Sequence, residues 1–135
     1  MGIFLTIHSI NRWLIILAAL AALVHLLLDI NANREAGKHS RIASSAFTGL
    51  MDLQVLLGGV SFMLPAIMGD RDMHMTYMIL AVIVAHLPAI WKKRNPAVYP
   101  KVMAGAIVVS LILIVLGVGA LGGLVRWQSI YGIRF

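Results

Sequence analysis

Four apolar stretches, each close to 20 residues or longer and separated by short polar segments, limit what this chain can fold into. A run of that length with few charges has the reach of a helix crossing about 30 Å of hydrocarbon. The stretches fall at residues 3–30, 42–68, 73–91 and 102–125. The expectation is an all-α integral membrane protein: one domain over residues 1–135, built as an up-down four-helix bundle. The composition agrees. Hydrophobic residues make up 61% of the 135 and charged ones 12%, against about 45–50% and about 25% in a soluble domain. No length is left over for a soluble catalytic domain, so independent enzymatic activity is not expected. The chain has no cysteine, which excludes disulfides, thiolate metal sites and covalently attached c-type haem.

The net charge of +6 would suggest nucleic acid in a soluble protein. Here the positive charge gathers in two loops. Arg34, Lys38 and Arg41 lie between the first two stretches, and Lys92, Lys93, Arg94 and Lys101 between the last two. That bias places the basic loops in the cytoplasm, both termini on the outer face, and nucleic acid outside the expected partners. Trp13, Trp91, Trp127 and Tyr131 fall near stretch ends, as an aromatic belt does. No cleavable leader is expected, because a basic n-region is missing from the first residues. The tail RWQSIYGIRF is amphipathic and is expected at the interface.

Polar residues inside the apolar stretches are costly and mark candidate sites. The third, MHMTYMILAVIVAHLPAIW, carries His74 near its start and His86 near its end. Sorting by rise along alternating helices gives two expected layers. The outer one holds His8, Arg12 and His74. The inner one holds His25, Asp52, Gln54, His86 and Ser110. Helical phase puts His8, Arg12, Ile15, Ala19, Ala22 and Leu26 on one face, and His74, Met78, Ala81 and Ala85 on another. His25 and His86 fall off these faces, which favours a single bis-histidine site over two stacked ones.

The chemistry follows from these placements. A b-type haem needs two imidazoles at one depth, small residues beside the ring and cations near its propionates. His8 and His74 are the candidate iron ligands, with Arg12 as a propionate partner and Ala19, Ala81 and Ala85 leaving space; interface histidines making ordinary hydrogen bonds are the equal alternative. Asp52 and His86 are a second candidate pair, since a carboxylate within a span needs a partner. With Gln54 or Ser110 nearby, that pair could orient or supply a haem ligand (His86 being the alternative), bind a quinone headgroup, relay a proton, or join His25 in a divalent-metal site. A plain interhelical hydrogen bond is equally open. His39 is expected to be solvated in a loop. The second stretch carries polar or small residues on opposite sides. Ser45, Gly49, Asp52, Gly59 and Met63 lie on one and Gln54, Gly58, Ser61 and Pro65 on the other, which suggests packing on both and hence a membrane partner or homo-oligomer.

Three segments, HSINRW (residues 8–13), GLMDLQVLLGG (49–59) and the pattern of His74, Met78, Ala81, Ala85 and His86, resemble a family of small four-span bacterial membrane proteins often labelled cytochrome-b-like. The resemblance touches three of the four stretches. It implies residence in the bacterial inner membrane and a role near haem or quinone electron transfer for His8, Arg12, Asp52, Gln54, His74 and His86. The expected function is therefore a membrane electron-transfer subunit binding haem b, working between quinol and a partner redox complex. The alternative is a cofactor-free structural or assembly subunit of a larger respiratory or photosynthetic complex.

Overall fold

The computed structural model describes residues 2–63 and 71–122, together with the backbone of 129–130 and 133–134. Helix α1 spans Gly2–Asn31, α2 Lys38–Phe62, α3 Arg71–His86, α4 Ala89–Arg94 and α5 Tyr99–Ala120. A two-residue antiparallel pair joins β1 (Ser129–Ile130) to β2 (Ile133–Arg134). The other tail residues, including Trp127 and Tyr131, and Pro65 at the end of the second stretch, lie outside the described residues. Taking α3 and α4 together, four helical segments among the described residues are long and apolar enough to cross a membrane.

The direction of each helix can be read from the contacts it makes. His8, near the start of α1, reaches Gln54 near the end of α2. Asp29, near the end of α1, reaches Gly37 and Ser40 at the start of α2. The two helices are therefore antiparallel. His74 likewise meets Gly117, and Ser110 meets Ala81, so α3 and α5 are antiparallel. The His8 and His74 rings are neighbours, which puts the starts of α1 and α3 at one end.

Helix ends differ from the sequence reading where side chains intervene. The first loop is shorter than expected, because α2 begins at Lys38. Asn33 takes a left-handed conformation, φ 51°. This lets the Arg34 N–H return to the Asp29 carbonyl and the Asn33 N–H to the Ile30 carbonyl, closing α1. The Asp29 carboxylate, buried at 2% exposure, then accepts from the Gly37 N–H, the Ser40 hydroxyl and Arg34 Nε. One side chain thus seals the end of α1 and caps the start of α2. The third stretch is not one straight helix. Pro88 lacks an N–H and crowds the preceding turn, and the helix breaks at Leu87–Pro88 before α4 resumes. Asn95 is extended, as the residue before Pro96 should be, and Pro100 sits in the first turn of α5.

The core is a seam of small and medium side chains. Ile15, Ala19, Ala22 and Leu26 of α1 are buried against Phe47 and Met51 of α2, and Ala81 and Ala85 of α3 belong to the same core as Met103, Ile107 and Ile114 of α5. Here the alanines act differently from the expectation. Ala19, Ala81 and Ala85 are at most 1% exposed, so they sit where helix backbones come close together and do not line the cavity described below. The outward faces are apolar. Leu17 and Leu56 are 62% and 69% exposed, which suits contact with lipid.

Candidate functional site: a histidine-lined cavity

A cavity of about 210 Å³ lies between the first half of α1, the second half of α2 and the first half of α3, with the end of α5 at its back. His8 and Arg12 of α1, Gln54 and Gly58 of α2, and Arg71 and His74 of α3 line it. Both guanidiniums are present, and no carboxylate occurs among the described lining residues. The cavity is electropositive and suits an anionic ligand. Val55 and Phe62 of α2 and Ile79 of α3 line it and are also exposed on the outside of the bundle. It therefore opens sideways between α2 and α3.

The two histidines are held by different devices. His74 Nδ1 lies 2.7 Å from the Gly117 carbonyl oxygen. A carbonyl only accepts, so Nδ1 carries the proton and Nε2 keeps its lone pair. A backbone carbonyl on one ring nitrogen is how proteins commonly fix a metal-binding imidazole. Gly117 is what allows the approach: a Cβ there would land on Met78 Cε and lie 3.1 Å from Tyr77 Cβ.

His8 is fixed by a relay starting at Asn11, which is 2% exposed. Asn11 Nδ2 donates to the Leu50 carbonyl at 2.9 Å and to Gln54 Oε1 at 2.8 Å. That turns the Gln54 amide so that its Nε2 donates to His8 Nε2 at 3.2 Å. His8 Nδ1 is buried without a hydrogen-bond partner. It lies against Gly58, where the missing side chain makes room: a Cβ there would be 3.3 Å from His8 Cε1. The His8 and His74 ring centroids are 6.4 Å apart, with the planes at 71°. Arg71 is steadied by donating to the Phe62 carbonyl, its guanidinium 4.5 Å from the Phe62 ring centre.

The expected outer layer of His8, Arg12 and His74 comes together. The expected inner layer does not hold as a unit. Gln54 belongs to the outer site, because its side chain reaches up α2 toward His8. Asp52 and His86 do meet, at 3.3 Å between Oδ1 and Nε2, but their side chains are 56% and 45% exposed on the outside of the bundle. Asp52 is two residues from Gln54, which turns it about 200° away from the core. His86 Nδ1 donates to the Val82 carbonyl of its own helix. Ser110 is buried elsewhere, donating to the Ala81 carbonyl at 3.0 Å. His25 stacks on His39 at 5.4 Å, far along α1 from the outer site, and His39 sits in the first turn of α2 instead of a loop. The divalent-metal grouping of His25, Asp52 and His86 is therefore not assembled, and no cluster of three or more metal-ligating side chains occurs among the described residues.

Two residues escaped the sequence reading. Asn11 lies within the HSINRW segment, and its i, i+3 and i, i+4 spacing from His8 and Ile15 places it on the buried face. Asp29 could have been found as an acidic residue just ahead of a loop that ends at Gly37, with Ser40 in the first turn of the next helix. Compared with family models, curated proteins and solved structures, the chain matches none.

Proposed function

We propose that the protein is a four-span membrane subunit of the cytochrome-b-like kind, holding a b-type haem between His8 and His74 and passing electrons between quinol and a partner redox complex. The bacterial inner membrane, with both termini outside and the basic loops in the cytoplasm, completes the proposal. The observation that carries it is the pair of imidazoles over an electropositive cavity. The His8 and His74 ring centres are 6.4 Å apart, so two imidazoles from different helices stand side by side at one end of the bundle. His74 presents an unprotonated Nε2 with its other nitrogen anchored. Arg12 and Arg71 line the cavity and would pair with the haem's propionates. The sideways opening between α2 and α3 gives a flat apolar group a route in from the bilayer.

The haem would supply one-electron chemistry, and the chain's own residues supply the rest. His74, held by the Gly117 carbonyl, would supply one nitrogen ligand through Nε2. Asn11 and Gln54 hold His8 through its Nε2, and the Gln54 bond would give way to iron at that nitrogen. Met78, Ile79 and Val82 keep water away from the cavity wall, which strengthens the hold of the guanidiniums on carboxylates. The test is a dithionite-reduced minus oxidised spectrum of the purified protein after haem loading. A b-type α-band at one haem per chain is expected, and a flat difference spectrum sinks the proposal.

A second reading, a cofactor-free structural or assembly subunit, is favoured by one observation. His8 Nε2 already receives a hydrogen bond from Gln54, a contact that iron at that nitrogen would displace. A colourless protein that co-purifies with a larger membrane complex supports this reading.

A further inference from the structure

The loop between α1 and α2 and the run from α4 into α5 share one end of the bundle, because the contact of His8 with His74 sets the starts of α1 and α3 at the other. Lys38, Arg41, Lys92, Lys93, Arg94 and Lys101 are all exposed at this end. Among the described residues none of the six pairs with a carboxylate. Of the acids beside them, Asp29 is buried and bound to Arg34, and Glu35 is a single exposed charge in the first loop. Their positions add to the imbalance. Lys38 and Arg41 stand in the first turn of α2 and Lys101 in the first turn of α5, and neither turn contains an acid. The positive end of a helix dipole disfavours cations there. A bound anion relieves both repulsions.

The two basic segments converge on Tyr99, which is 5% exposed. Lys92 Nζ lies 5.9 Å from its ring centre, and Arg41 is close enough for its charge to act on the hydroxyl. Arg41 Nε donates to the Ala36 carbonyl at 3.0 Å, which steadies the guanidinium and leaves its far edge for a phosphate. Apolar side chains alternate with these cations. Ile42, beside Arg41, is 57% exposed, and Ile90 and Trp91, beside Lys92, are 49% and 36% exposed. An acidic soluble protein or a nucleic acid would satisfy the charges and leave those side chains in water. A phospholipid satisfies both, with its headgroup on the cations and its acyl chains on the apolar groups.

We propose that this end of the bundle holds an anionic phospholipid, its phosphate between Arg41 and Lys92 beside Tyr99. The remaining cations draw anionic headgroups toward that position. The proposal does not depend on haem binding.

The test equilibrates the whole chain in detergent with equimolar phosphatidylglycerol and phosphatidylcholine and counts retained lipid by native mass spectrometry. One phosphatidylglycerol per chain, held in several-fold preference, is expected. A basic group at a membrane surface is worth about fivefold in binding, so Arg41→Gln with Lys92→Gln should reduce retention about twentyfold. Lys93→Gln with Arg94→Gln removes the same charge away from Tyr99 and should reduce it less, while Arg41→Lys should keep most of it. Millimolar inorganic phosphate should leave the lipid in place. Equal retention of the two lipids, equal loss in the two double variants, or displacement of the lipid by inorganic phosphate overturns the proposal. The last outcome would assign the position to free phosphate.

Discussion

Replacing His74 with alanine is expected to abolish retention of haem through detergent exchange while leaving the far-ultraviolet circular dichroism unchanged. His74 lines the cavity, and among the described residues its side chain makes one hydrogen bond, to the Gly117 carbonyl. Its loss should therefore affect the ligand far more than the bundle. Mutations of groups that merely orient a ligand cost about 10–100-fold in metal affinity, so removal of the ligand itself should exceed the upper end of that range. His8→Ala should lower affinity similarly, with the remaining iron five-coordinate. His86→Ala, which touches neither ring, should leave haem content unchanged. Equal loss in all three variants, measured as haem per chain, would argue for a general collapse of the fold.

The second large effect is on stability. Asp29→Ala should destabilise the bundle by about 2–3 kcal/mol, because the change leaves the buried Ser40 hydroxyl and the Gly37 N–H without their acceptor. The same carboxylate also holds Arg34 at the loop. Asp29→Asn keeps one acceptor oxygen and should recover part of the loss. Unfolding by a rising mole fraction of dodecyl sulfate in mixed micelles measures both. An Asp29→Ala protein as resistant as the parent would remove Asp29 from this role.

These two residues also mark what the sequence made legible. The four apolar stretches and their alternation were readable because lipid requires each span to satisfy its own backbone. His8, Arg12 and His74 could be grouped because rise per residue fixes depth well. Facing on a single helix was harder to turn into contacts. Gln54 and Asp52 are separated by two positions, so depth alone put them in one layer, while helical twist sends one to His8 and the other to the outer surface. Asp29 was hidden for a different reason. Its partners lie across a loop, and no periodicity marks a cap made by the preceding helix. The break at Pro88 was available from its missing N–H, but the apolar run on either side masks it. The alanines of the core were recognised as small, and the choice between leaving space and closing it depends on where the neighbouring helix sits, which only the packing decides.

The most direct measurement of the proposed centre is the low-temperature electron paramagnetic resonance spectrum of the oxidised, haem-loaded protein. Iron held between His8 and His74 should give a low-spin signal, strongly anisotropic because the imidazole planes stand at 71°, and His8→Ala should convert it to high spin. A high-spin signal in the parent protein, or a low-spin signal that survives both His8→Ala and His74→Ala, would contradict a haem held by this pair.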